Sequence, residues 1–358
     1  MKVIHVRNVH QALPQALRLI DEEGVRRGSR NGAVRLIEPG PVVTVYERPW
    51  ERVIFWPVRD ANPALHLYES LWMLAGRQDL EPLLRYTKQF AEYSDDGQIL
   101  QGAYGYRWRR TFGQDQLRVI IRRLTNYPND RRCVLQVWDS DYDLDRETKD
   151  APCNVTATFQ RRSNGQLDMT VLCRSNDLVW GAYGANAVHW SMLLSYMAHE
   201  IGCTEGRYVQ VSVNWHIYEE WYQKLLDMPR SSSVQSDDGL RSIDPYSLEL
   251  VQPTIFNNIV VRADHVYSNS NVPIDEWIGR ILEDADGFPG VNFVDAPLWV
   301  RVYRDVLRAH RDWRMYDSSV RFTRPLATLQ PYLGTDWGLA MSEWLQRRYD
   351  KWRWRNED

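Results

Sequence analysis

The 358-residue sequence is short of the features that mark several large protein classes. No apolar run approaches the roughly 20 residues that cross a bilayer, and the first residues lack the basic stretch and apolar core of an export signal. A cytoplasmic protein with no membrane partner is therefore expected. Cysteine is scarce: Cys133, Cys153, Cys173 and Cys203 are the only four, none in paired C-x-x-C spacing, and the eight histidines are scattered. That pattern indicates neither a zinc centre nor a disulfide framework, so no metal site is expected. Charge of one sign is also lacking. A formal net charge of −3 is far from the basic surplus that displaces counterions from duplex phosphates, so no direct DNA binding is expected. Internal repeats and low-complexity segments are missing too.

What is present is apolar and aromatic. With 44% hydrophobic residues and 16 tryptophans, the chain can bury a large core without covalent staples, and the tryptophans near the C-terminus (Trp344, Trp352, Trp354) are suited to interfaces. Apolar spacing predicts a helix over 11–28, a turn at Arg30-Asn31-Gly32 and Val-rich strand through Val45. Helices are predicted at Pro63–Gly76 and Leu80–Tyr93. From Arg132 the text becomes short β-rich runs (CVLQVW, VTATFQ, LDMTVL) with a hairpin turn at Ser163-Asn164-Gly165. A helix over Ala187–Ile201 and a strand over Tyr208–Trp215 follow. After Leu226 the composition shifts to Ser, Asp, Asn and Pro, and helical patterns return over 274–285, 296–312 and 336–351. The expectation is an α+β catalytic domain over 1–226 and a divergent C-terminal region with a helical subdomain over 227–358.

The chemistry-bearing segment is Ala151-Pro152-Cys153-Asn154, with Arg174-Ser175-Asn176-Asp177 further on. A lone cysteine among strands is usually a small buried hydrophobe. A guanidinium beside a thiol, however, favours the nucleophilic thiolate. Six blocks in order then set the context: Tyr68-Glu69-Ser70-Leu71-Trp72 with Gly76, Tyr104-Gly105-Tyr106-Arg107-Trp108-Arg109, Asp130-Arg131-Arg132, the Pro-Cys block, the Arg-Ser-x-Asp block ending at Gly181, and Asn214-Trp215-His216-Ile217-Tyr218. Together, over about residues 20 to 225, the chain resembles the thymidylate synthase family.

That resemblance implies a fold with a large mixed β-sheet flanked by helices, here carrying a C-terminal helical extension. It implies a pyrimidine nucleoside monophosphate, dUMP above others, as substrate and 5,10-methylenetetrahydrofolate as one-carbon donor. Cys153 becomes the nucleophile toward carbon six, Glu69 a buried proton relay, and Tyr104 an aid to proton removal from carbon five. Arg30, Arg131, Arg132, Arg174 and Ser175 become the phosphate grip, since a dianion in a partly dry pocket calls for several charge-assisted donors. Asn176 belongs to the same nucleotide-binding block. The paired arginines come from the other subunit in this family, which implies a homodimer with shared active sites. His216 and Tyr218 would bond the sugar hydroxyl; Asp177, Phe90 and Gly181 would line the folate side. Asn186 falls where the family reads the pyrimidine edge. An amide offers donor and acceptor together, matching N3–H and O4 of uracil, whereas cytosine-specific relatives have an aspartate there.

The departures are informative. The histidine that follows the cysteine in synthases is Asn154 here, a tryptophan of the folate pocket is Phe90, and the family's closing C-terminal tail is not recognisable. Arg-Ser-Asn-Asp-Leu-Val-Trp-Gly is similar to the RSNDVVFG of phage deoxycytidylate hydroxymethylases. Solvent access beside carbon five decides between water and hydride as the final acceptor, so the expectation is hydroxymethylation of dUMP, of the kind used in phage DNA modification. Thymidylate synthesis, hydroxymethylation of CMP or dCMP, and a catalytically silent nucleotide- or RNA-binding scaffold are the alternatives.

Overall fold

The computed structural model describes residues 1–28, 34–37, 41–230, 244–246 and 272–356. The chain divides into two compact units, Met1–Arg52 with Gly76–Ser242 and Val53–Ala75 with Ile243–Asp358. These bounds differ from a single cut at 226. The helix Pro63–Leu74 is buried at 11 of its residues, too many for one apolar stripe, and it groups with the C-terminal helices.

The first unit is built on an eight-stranded mixed sheet. Its strands are β1 (Lys2–Val6), β2 (Val25–Gly28), β3 (Val34–Ile37), β4 (Val42–Tyr46), β5 (Val134–Gln136), β6 (Asn154–Arg161), β7 (Gln166–Asp177) and β8 (Thr204–Tyr218). Their order is β1-β4-β8-β7-β6-β5, with β3 also on β8 and β2 on β3. β1 runs parallel to β4 and β7 parallel to β8; the other pairs are antiparallel. The α+β expectation is met. The hairpin between β6 and β7 turns at Gly165, whose φ of +85° favours glycine.

The helix Asn186–Ile201 is buried along nearly its whole length and packs on β7, β8 and the amphipathic helix Gln116–Asn126. It stops at Gly202 in the left-handed conformation (φ +77°), whose N–H bonds the Ala198 and His199 carbonyls.

Three local expectations are corrected. The helix predicted over 11–28 is Val9–Glu23, and Val25–Gly28 is β2. A Cβ at Gly24 would stand 2.5 Å from the Ile20 carbonyl oxygen, so only glycine closes the helix this tightly. The helix predicted over Leu80–Tyr93 is two short pieces, Glu81–Leu84 and a 3-10 turn at Lys88–Glu92, because the Thr87 hydroxyl caps Gln89 and restarts the chain. In the second unit the helices are Ile274–Asp286, Leu298–Met315, Val320–Leu329 and Asp336–Asn356. Val320–Leu329 was not foreseen, since its Pro325 reads as a breaker.

The tryptophans of this unit are mostly core. Trp344 meets Trp313 edge-on at 4.9 Å and lies under the Arg348 guanidinium at 3.4 Å. Arg348 is in turn held by both carboxylate oxygens of Asp60, each at 2.9 Å. Among the described residues no helix is long and apolar enough to cross a membrane.

Candidate active site

Cys153 lies at the entrance of β6, and the two residues after it decide the local geometry. β6 and β7 pair Asn154 with Cys173 but Thr156 with Leu172, so Val155 is one residue too many. Such a bulge bends a strand and re-aims its side chains. The displaced Val155 carbonyl accepts from both Val137 and Trp138 N–H at 3.0 Å. The bulge leaves Cys153 half-buried and turns Asn154 fully inward, at 0% exposure.

Inside, six side chains form an unbroken line of hydroxyl, amide and thiol groups, with Ser212 as a branch. Tyr208 takes a hydrogen bond from Gln210 Nε2 (2.8 Å). The Asn176 Nδ2 group donates to Gln210 Oε1 (2.7 Å) and to Ser212 Oγ (2.9 Å). Asn186 Nδ2 donates to Asn176 Oδ1 (3.0 Å), Asn154 Nδ2 donates to Asn186 Oδ1 (3.1 Å), and Cys173 Sγ–H donates to Asn154 Oδ1 (2.7 Å). The Tyr104 hydroxyl also bonds Asn154. All three asparagines are buried, and buried amides are costly unless paired. Gly181 permits this packing, since a Cβ there would stand 2.4 Å from Asn176 Oδ1 and 3.3 Å from Asn186 Nδ2. Each Asn186 group keeps one further valence, a lone pair on Oδ1 and a hydrogen on Nδ2.

The electrostatics of Cys153 run against the expectation of a ready thiolate. Burial pushes the thiol up from its ordinary 9.0; Arg174 pulls it down and Asp150 adds to the rise, and burial wins. Arg174 is exposed, and its guanidinium is engaged elsewhere. Nε donates to the Pro152 carbonyl (2.9 Å) and a terminal nitrogen to that of Ala151 (3.1 Å), with the Trp138 ring 5.4 Å away. It therefore braces the loop that carries Cys153. Burial, with Cys153 and Cys173 nearby, raises the Tyr104 phenol well above its ordinary range, so it stays protonated.

The other expected residues divide into groups. Ser175, Asn176 and Asp177 on β7 lie opposite Asn214, Trp215 and His216 on β8, which brings two of the six blocks side by side. His216 is buried, its Nδ1 meets the Asn214 carbonyl at 3.2 Å, and its ring meets Tyr218 edge-on at 5.3 Å. One carboxylate oxygen of Asp177 caps the following turn through Val179 and Trp180 N–H (3.0 and 2.6 Å). Beside it Trp180 is 50% exposed and edge-on to Trp221 at 5.3 Å. Phe90 is half-buried on its 3-10 turn three residues before Tyr93, whose phenol is pushed up by burial and by charges that include Asp177.

Arg131 and Arg132 are exposed on the turn before β5, with Arg132 bonded to Asp130 at 3.1 Å. Glu69 is buried on the helix Pro63–Leu74 of the second unit. Arg30 lies outside the described residues. Sequence reasoning missed Gln210, Ser212, Cys173 and the partnership of Asn154 with Asn186. Alternation along β8 could have flagged Gln210 and Ser212 as inward polar residues, but not their partners. Among the described residues no group of three or more His, Cys, Asp or Glu could hold a metal.

The profile of the thymidylate synthase family matches residues 15–235. The chain is 46% identical over 348 residues to the deoxyuridylate hydroxymethyltransferase of Pseudomonas phage M6, covering 97% of this chain and 95% of that protein. It is 37% identical over 199 residues to the protein of the same name from Bacillus phage SP01, covering 52% of each. A putative thymidylate synthase of Methanothermobacter marburgensis is 37% identical over 139 residues, covering 39% of this chain and 60% of that protein.

Proposed function

The chain belongs to the thymidylate synthase family, and from that premise we propose that it is a dUMP hydroxymethyltransferase acting through a covalent bond from Cys153 to carbon six of the uracil ring. The observation that carries this reading is the Asn186 amide, held with a fixed donor and acceptor end by Asn154 and Asn176 beside the nucleophile's strand. One lone pair on Oδ1 for N3–H and one hydrogen on Nδ2 for O4 suit uracil, and the same contacts stabilise the charge that gathers on O4 when sulfur adds. Near-full-length similarity to a phage deoxyuridylate hydroxymethyltransferase supports the same substrate and outcome.

Arg174 and Ser175 grip the phosphate, joined by Arg30. Exposure of Arg131 and Arg132 on their turn supports their donation across a homodimer to the partner's phosphate site. His216, held by Asn214, and Tyr218 meet the sugar. Tyr104, kept protonated, orders water next to carbon five and so helps its proton leave. Glu69 is the proton relay.

The donor is 5,10-methylenetetrahydrofolate, and the residues present fit a flat ring with N–H groups. Asp177 offers a carboxylate fixed by its cap, and Trp180 offers an exposed face beside it. When bound, the folate supplies a one-carbon unit at the oxidation level of formaldehyde. In balance, methylenetetrahydrofolate and water become tetrahydrofolate while the C5–H of dUMP becomes C5–CH2OH. Incubation with dUMP and methylenetetrahydrofolate, with the product weighed, tests this. A gain of CH2O is expected; a gain of CH2 with dihydrofolate absorbance refutes it in favour of thymidylate synthesis.

A further inference from the structure

Asn154 follows the nucleophile, yet its side chain faces away from solvent into the amide line. The line has one direction from end to end, and it can be followed from its far end. Gln210 Nε2 bonds the Tyr208 hydroxyl, and Gln210 presents its oxygen to Asn176. Gln210 and Ser212 then take both hydrogens of Asn176 Nδ2, which leaves Asn176 Oδ1 facing Asn186. That oxygen demands the Nδ2 of Asn186. The Oδ1 of Asn186 must therefore find a donor on its other side, and Asn154 Nδ2 is the group there, at 3.1 Å. The Asn154 oxygen is satisfied in turn by the Cys173 thiol, and the Asn154 amide also bonds the Tyr104 hydroxyl. Every amide is oriented by its neighbours.

We propose that Asn154 is a positioning residue that sets which base Asn186 reads, by holding the Asn186 oxygen and nitrogen in the order that matches uracil. Resting on the substrate reading above, this deepens it: base choice is made by a pair of side chains, not by Asn186 alone. A carboxylate at 154 only accepts. Facing Asn186 Oδ1 it repels, and the repulsion is relieved when the Asn186, Asn176 and Gln210 amides turn together, since the Ser212 and Tyr208 hydroxyls at the far end can donate as readily as accept. The turned amide offers a donor where N3 sits and an acceptor where the exocyclic group sits, which is the complement of cytosine.

Asn154→Asp, nearly the same in shape, is the test, read by calorimetric dissociation constants for dUMP and dCMP. One charge-sensitive hydrogen bond at a buried amide corresponds to about a tenfold change. The expected result is a fall of about tenfold or more in the dUMP-to-dCMP affinity ratio. Asn154→Ala, which leaves either orientation open, is expected to lower the ratio in the same direction by less. Equal losses for both nucleotides, or an unchanged ratio, would overturn the proposal. If the parent protein binds neither nucleotide, the substrate reading fails, and the positioning is judged without it. In selectively 15N-asparagine-labelled protein, the side-chain NH2 signals of Asn186 should move in Asn154→Asp and stay in the exposed control Asn164→Asp; unmoved signals in both overturn it.

Discussion

In the nucleotide-free enzyme the proposed nucleophile, Cys153, should be a thiol, and this can be measured. Burial raises Cys153 above its ordinary 9.0 despite Arg174. At pH 7, two units or more below its midpoint, fewer than about 1 in 100 molecules then carry the thiolate. Alkylation of Cys153 by iodoacetamide, followed by the mass of the Cys153 peptide, should rise about tenfold per pH unit from pH 7 to about pH 9 with no plateau. Arg174→Gln removes the one charge that pulls the thiol down. A neighbouring opposite charge favours the thiolate, and an exposed guanidinium does so less than a buried one. Alkylation of that variant should be slower by severalfold to about tenfold at each pH. A plateau below about pH 8, or faster alkylation in Arg174→Gln, would refute the reasoning. A resting thiol also guards the enzyme, because the thiolate is the form that oxidises.

Two further outcomes concern stability. Burial pushes His10 down to about 3 from 6.5; its depressed folded value means that stability is complete above 6.5 and is lost as pH falls toward 3, at up to about 1.4 kcal/mol per pH unit. His10→Gln should flatten the fall in urea midpoint between pH 7 and pH 5, and an unchanged slope would remove His10 as its source. Arg107 and Asp143 form a buried bidentate pair at 2.6 and 2.8 Å. Arg107→Met should cost about 3–5 kcal/mol in urea unfolding, and adding Asp143→Leu should recover much of it. Equal losses in single and double variants would show that the pair is not the cause.

Much of the candidate site was legible because its residues recur in fixed local groups. Cys153 after Pro152, Asp177 with Gly181, and His216 with Tyr218 are each readable within a few positions. The α+β class was legible because β-strand alternation and a long apolar helix each leave a local period. The break in Leu80–Tyr93 was hidden because the apolar spacing continues through it, and the helix at Val320–Leu329 because Pro325, inside it, reads as a helix breaker. The role proposed for Asn154 was hidden for another reason. Read alone it is a missing histidine, and only the extra residue Val155 turns it toward Asn186.

By itself, the sequence determined the family's ordered blocks, the mixed sheet that carries them, and Cys153 and Asn186 as candidates for nucleophile and base reader, since these depend on residue type and short spacing. Tertiary structure alone decided three things: the direction of the amide line from Gln210 to Cys173, the net sign of the shift at Cys153, and the grouping of Pro63–Leu74 with the C-terminal helices. Each is a sum over neighbours distant in sequence, and burial and hydrogen-bond polarity exist only once the strands have paired.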